Sequence, residues 1–90
     1  MNVYVFLGDG AAFPCGVFSD KEEAAKWISL RSLSGTLTAY PMNIGVYEWA
    51  IDNGYFKPEK EYQFEAKFIQ KFTAASAEHY HFENGILIAS

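Results

Sequence analysis

The residues with the most chemistry in this 90-residue chain lie near its end, in His79-Tyr80-His81-Phe82-Glu83. On a β-strand alternate side chains share a face, so His79, His81 and Glu83 line up. Two imidazoles and a carboxylate can ligate zinc or another divalent ion and leave a position open for water. The same three groups could instead move protons in acid–base catalysis. No fourth ligand stands at a diagnostic spacing. An exposed polar strand face, serving as a contact surface, is the plainer reading. A metal-binding protein or metal-dependent enzyme built on the trio is kept as the second reading, and no metal or cofactor is assigned.

Two weaker signals resolve into ordinary structure. Gly8-Asp9-Gly10 begins like a dinucleotide-binding fingerprint, but the third glycine is missing and Phe13-Pro14 follows where a helix should open. It reads as a turn. Cys15 would need a histidine brought beside it by the fold to act as a nucleophile. A small buried residue is the simpler expectation. Neither position yields a catalytic residue, and the chain is read as a non-enzyme.

The middle of the chain offers a different kind of site. Glu48, Asp52, Glu59 and Glu61 are interleaved with Tyr47, Trp49, Tyr55 and Phe56. Rings as anchors and carboxylates as charge make a surface suited to a basic protein partner. If the rings point inward, the acids are only a wet rim. Both readings stand at this point, and the residues set down for partner contact are Tyr47, Glu48, Asp52, Tyr55, Glu59, Glu61, His79, His81 and Glu83.

Composition narrows the classes. The net charge is −4, and the second half carries most of it: seven acids against four bases after residue 45. That balance excludes the basic stripe a nucleic-acid binder needs. It is compatible with a basic protein partner, although ordinary solubility charge accounts for it more simply. A single cysteine forms no internal disulfide, so no oxidising compartment is required. Met1-Asn2 lacks the basic start of a signal peptide, and no apolar run approaches the roughly 20 residues of a membrane span. A cytoplasmic protein with no membrane contact is expected.

These residues must be positioned by a small set of elements. Val3-Tyr4-Val5-Phe6-Leu7 is β-branched and aromatic throughout and reads as a first strand covered on both faces. Cys15-Gly16-Val17-Phe18 makes a short second strand antiparallel to it. Ser19 with Glu22 fits a capping box that opens a helix. Ala24, Ala25, Trp27, Ile28 and Leu33 form its buried side, and Gly35 supplies the left-handed residue after it. Thr36 to Tyr40 alternates as a third strand, which Pro41 stops. Asn43 caps a second helix from Ile44 to about Asp52, with Ile44, Tyr47 or Glu48, and Ile51 inward. Asn53-Gly54 closes it.

Pro58 and Glu59 start a third helix, on which Tyr62, Ala66, Ile69 and Phe72 recur at helical spacing. Glu78 to Glu83 forms a last strand. Asn84-Gly85 fits a type I′ turn, with Ile86-Leu87-Ile88 as the returning arm. The expected fold is α+β: a single domain over residues 1–90, ordered β-β-α-β-α-α-β, with a mostly antiparallel sheet and helices on one face. The aromatic excess also leaves room for a homodimer.

Leu37-Thr38-Ala39-Tyr40-Pro41, Gly45-Val46-Tyr47-Glu48-Trp49-Ala50 and Glu78-His79-Tyr80-His81-Phe82-Glu83-Asn84-Gly85 together resemble a family of small bacterial domains of uncharacterised function. Phe68-Ile69 and Phe72-Thr73 extend the likeness over most of residues 3–86. That family offers no catalytic motif to carry over. Small acidic single-domain proteins of this kind resemble in turn the cytosolic immunity proteins of contact-dependent and polymorphic toxin systems. The resemblance implies a protein that occludes the active site of a toxin's C-terminal domain, with no cofactor and no nucleic acid.

Overall fold

The computed structural model describes residues 1–90. They divide into two compact units, residues 1–42 with 77–90, and residues 43–76. The first unit holds a five-stranded antiparallel sheet and one helix. Its elements are β1 (Asn2–Gly8), β2 (Gly16–Phe18), α1 (Lys21–Leu30), β3 (Gly35–Pro41), β4 (His79–Glu83) and β5 (Ile86–Ala89). Across the sheet the strands run β2-β1-β3-β4-β5. The second unit is inserted between β3 and β4 and contains α2 (Val46–Asp52), a 3-10 turn (Glu61–Phe64) and α3 (Ala66–Ile69). The α+β architecture expected from the pattern is present, with the β5 arm added after the Asn84-Gly85 turn.

Alternation decides which side chains meet. β1 and β3 pair over seven positions from Asn2↔Pro41 to Gly8↔Gly35, which puts Phe6 opposite Leu37 and Tyr4 opposite Ala39. Phe18 of β2 lies opposite Tyr4, and Tyr80 of β4 lies opposite Leu37. One face therefore carries Tyr4, Phe6, Phe18, Leu37 and Tyr80, and α1 covers it with Ala24 and Ile28, both fully buried. Trp27 closes the β2 side, edge-on to Phe6 at 6.0 Å between ring centroids and tilted on Phe18 at 5.4 Å. Such aromatic contacts add about 0.5–1.5 kcal/mol beyond burial.

The other face differs from the expectation. Val3 and Val5 are half-buried there, but Leu7 is 41% exposed and Val17 of β2 is 66% exposed. β1 is thus covered well on one face only: on the second face Leu7 lies opposite Thr36 and Val5 opposite Thr38, and α1 packs on the other side.

Local chemistry sets the element ends, which differ from where the pattern placed them by one residue at the start of α1 and by three at its left-handed exit. The α1 cap is Asp20 rather than Ser19: its Oδ1 accepts from the Glu23 backbone N–H at 3.1 Å. Ser32 supplies the left-handed residue after the helix, with φ of 55°. Gly35 instead opens β3 at a point of close approach. A Cβ there would fall onto the Leu7 carbonyl oxygen and within 2.8 Å of the Gly8 Cα. Asn84 and Gly85 take φ of 52° and 82°, the positive pair that a type I′ turn requires. The turn is tied back by Gly85 N–H to the Leu33 carbonyl at 2.8 Å and Asn84 N–H to the Ser34 hydroxyl at 2.9 Å.

In the second unit Asn43 is not the cap of α2. It sits in a turn at φ of 62°, and Gly45 takes the cap position with no side-chain hydrogen bond. Ile44 is left exposed, and the buried residues of α2 are Tyr47 and Ala50. The third helix is shorter than its pattern. The Gln63 side-chain oxygen accepts from the backbone N–H of Glu59 at 2.8 Å and of Lys60 at 3.0 Å, which folds the chain into a 3-10 turn. Glu65 is extended, with ψ of 154°, so only Ala66–Ile69 is α-helical. Phe56, Phe68 and Phe72 then gather around Tyr47, with centroids 5.5 to 6.3 Å from it. They form a ring cluster in place of a helical stripe.

Two outcomes test this account. Ile28→Ala should lower unfolding free energy by about 2–5 kcal/mol in urea titration, the usual range for truncating a fully buried aliphatic side chain. Asp20 titrates below its ordinary value of 3.8 because the Glu23 backbone N–H donates to its charged form. Its stabilisation is therefore present above that value and is lost as pH falls through the lower folded-state value. Asp20→Asn keeps the cap oxygen and cannot titrate, so its thermal midpoint between pH 4 and pH 3 (about the carboxylate range) should fall less steeply than that of the unmodified protein.

Candidate functional site

β4 positions the histidines as the alternation requires. His81 lies opposite Thr36 and His79 opposite Thr38, on the face of the sheet away from α1. The His79 Nδ1–H donates to the Ala77 carbonyl at 2.7 Å, which leaves Nε2 as the acceptor of the neutral ring. His81 Nδ1 shares a hydrogen bond with the Thr36 hydroxyl at 3.3 Å. The two rings meet edge to face, with centroids 5.3 Å apart. His79 is half-buried, while His81 and Glu83 are exposed.

The trio does not assemble a ligand set. No group of three His, Cys, Asp or Glu side chains in the protein is placed to hold a metal ion. Strand geometry is the cause. Residues four apart on a strand are separated by about 13 Å, too far for His79 and Glu83 to share one ion. What remains is a histidine pair beside Thr36 and Thr38 on the face of the sheet away from α1. Cys15 is exposed rather than buried, since it lies in the loop before β2 and not inside the strand.

On the α1 side of the sheet a second titratable group has formed around Tyr80. Its hydroxyl donates to Glu78 and accepts from Lys21 Nζ at 3.5 Å, and the same ammonium lies 4.5 Å from the ring centroid. The Glu78 acceptor holds the Tyr80 phenol above its ordinary value, and the Tyr80 contact raises Lys21 likewise. The trio ties the start of α1 to β4. The sequence pattern left it unread because its partners lie 59 residues apart.

The acidic and aromatic residues of the middle segment fall within the second unit. Glu48, Asp52, Glu59 and Glu61 are all exposed, and none is in an ion pair, since the protein's single salt bridge joins Lys26 to Glu23. Glu48 and Asp52 are one helical turn apart on α2, on a common face. Glu48 folds its carboxylate back over Gly45 at the amide end of the helix, where negative charge is favoured. Among the rings, Tyr55 is 56% exposed and packs against half-buried Trp49 at 5.4 Å. Tyr62, the first residue of the helical series expected here, is 53% exposed, and Phe64 is 59% exposed.

Tyr47 is the exception. It is only 7% exposed, and its hydroxyl donates to the Gln63 carbonyl at 2.7 Å. It holds the ring cluster together and is not available as a contact residue. Beside the cluster a groove of about 510 Å³ opens, floored by Tyr62, Phe68 and Phe72 and edged by Glu65, Lys67 and Lys71.

A five-stranded antiparallel sheet with α1 on one face, and a short helical insertion after β3, defines a small α+β domain. The chain belongs to a family described as a domain of unknown function (DUF7710), whose model matches residues 3–88. No curated protein and no solved structure matches it. No helix is long and apolar enough to cross a membrane.

Because the Tyr47 hydroxyl satisfies a backbone carbonyl inside the second unit, Tyr47→Phe should destabilise the protein by about 1 kcal/mol. Chemical denaturation checks this. Tyr55→Phe, at an exposed ring, should be neutral in the same assay.

Proposed function

We propose that the protein works by binding another protein and does no chemistry of its own, with the exposed acids and rings of the second unit as its contact surface. One observation carries the reading: Glu48, Asp52, Glu59 and Glu61 are solvent-exposed carboxylates without a cation partner, and Tyr55, Tyr62 and Phe64 are open beside them in the chain. Lys57 and Lys60 interrupt the segment but leave it negative. Carboxylates that pair with nothing inside the protein are free to pair with a basic partner, and exposed rings supply the apolar anchors that such contacts need. Tyr47 belongs to the supporting core.

The most concrete form of this reading is an immunity protein. In that role the acidic segment would cover the basic active site of a cognate toxin domain in the same cytoplasm. The overall acidity and the single free cysteine fit such a role. The His79, His81 and Glu83 face would be a second, polar contact area.

Affinity capture of the protein from its own host, followed by mass spectrometry, identifies the partner. A stoichiometric basic protein, such as the C-terminal part of a large secreted chain, is expected. With that partner, the combined Glu48→Gln, Asp52→Asn, Glu59→Gln and Glu61→Gln variant should associate at least about tenfold more slowly at low salt, and the difference should shrink as salt is added. Unchanged association kinetics would remove this surface from the proposal.

A further inference from the structure

β5 is the outermost strand of the sheet, and its free edge has no protein strand beside it. All four of its residues are exposed: Ile86 at 67%, Leu87 at 51% and Ile88 at 57%, with Ala89 following. Leu87 lies opposite Phe82 and so projects on the α1 side, while Ile86 lies opposite Glu83 on the other side. The strand is therefore apolar on both faces and open on both. Edge strands in soluble proteins are usually blunted by charge, proline or brevity. β5 has neither charge nor proline; it is short, at four residues, and carries a register shift opposite His81–Phe82.

Backbone geometry marks the centre of this edge. In a two-residue hairpin the residues flanking the turn, here Glu83 and Ile86, exchange hydrogen bonds. The N–H and C=O of the next residue, Leu87, consequently point away from β4. They are a donor and an acceptor without a protein partner, set in an apolar strand.

We propose that β5 pairs antiparallel with β5 of a second copy of this chain, about a two-fold axis at Leu87, joining two sheets into one of ten strands. The edge is self-complementary. Rotation about that axis lets Leu87 and its counterpart exchange both hydrogen bonds, and it sets Leu87 against Leu87 on the α1 side and Ile86 opposite Ile88 of the second copy. No charged residue of β5 opposes this. The acids that give the chain its net charge of −4 lie outside the strand, the nearest in the hairpin being Glu83 on β4. The alternative pairing of β5 with β2, the opposite edge of another copy, would be head-to-tail and would build rings or open chains of copies rather than a two-fold dimer. An edge this short buries less than the roughly 1,200 Å² of a standard interface, so the dimer belongs to the transient class.

Sedimentation equilibrium of the full chain, from micromolar to millimolar concentration, tests the proposal. A monomer–dimer equilibrium is expected, and Leu87→Lys should weaken it at least tenfold. Ile86→Lys, on the opposite face, should act in the same direction if Leu87→Lys disturbs the hairpin. Amide hydrogen exchange provides a readout independent of any variant: the Leu87 N–H should become more protected as protein concentration rises, while the exposed Phe13 N–H should not change. A monomer throughout, a dimer indifferent to both lysine variants, or assemblies growing past the dimer would each overturn the proposal.

Discussion

The seven-position pairing of β1 with β3 is the constraint on which the sheet unit depends. It sets Phe6 against Leu37 at the centre of the covered face, and both are almost inaccessible to solvent. Ile28 and Ala24 of α1 can pack there only if that register holds. A slip by one residue would exchange Phe6 and Leu37 for Val5 and Thr38 and turn the apolar set away from the helix. Gly35 fixes the end of the register. A side chain at that position would strike the Leu7 carbonyl oxygen, so the two backbones close there only around glycine. From this seam β4 inherits its phase, with Tyr80 and Phe82 toward α1 and His79 and His81 toward the opposite face. The histidine pair is thus a by-product of where the core residues had to go.

How much of this was legible in the residues follows from the range of the forces involved. β1, β3 and β4 were readable because a period of two is a local signal. The β4–β5 hairpin was readable because Asn84-Gly85 is among the few dipeptides that take positive φ twice at little cost. The buried side of α1 was readable for the same local reason, although its cap fell on Asp20 rather than the adjacent Ser19 and its end came before Leu33, at Ser32 rather than Gly35. The region after α2 was not. Phe68 and Phe72 stand one helical turn apart, yet both pack on Tyr47 and Phe56, brought from earlier in the chain. A turn held by Gln63 serves that gathering better than a long helix, and periodicity alone is blind to it.

The candidate site divides along the same line. Exposure of Glu48, Asp52, Glu59 and Glu61 was legible, since carboxylates rarely enter a core unpaired. Which ring would be the inner one was not. Tyr47 and Tyr55 stand eight residues apart in the same acidic segment, and one is buried with its hydroxyl satisfied while the other is open. The choice depends on where the Gln63 carbonyl falls, which is a tertiary fact. The absence of convergence between His79 and Glu83, in contrast, could have been derived from strand rise alone.

Exposed apolar side chains carry different weight in different places. A chain of this size buries only about 60% of its unfolded surface, so some rings must remain outside whatever their function. Tyr62 and Phe64 in a short 3-10 turn, or Phe13 in a loop, need no partner to explain them taken singly. β5 is of another kind, because three large aliphatic residues there are consecutive, open on both faces and attached to a backbone edge with unused hydrogen-bonding groups. Loose side chains can be solvated one at a time. A strand edge offers all its groups together and in register, and this makes it a recognition element even where each residue alone would be unremarked.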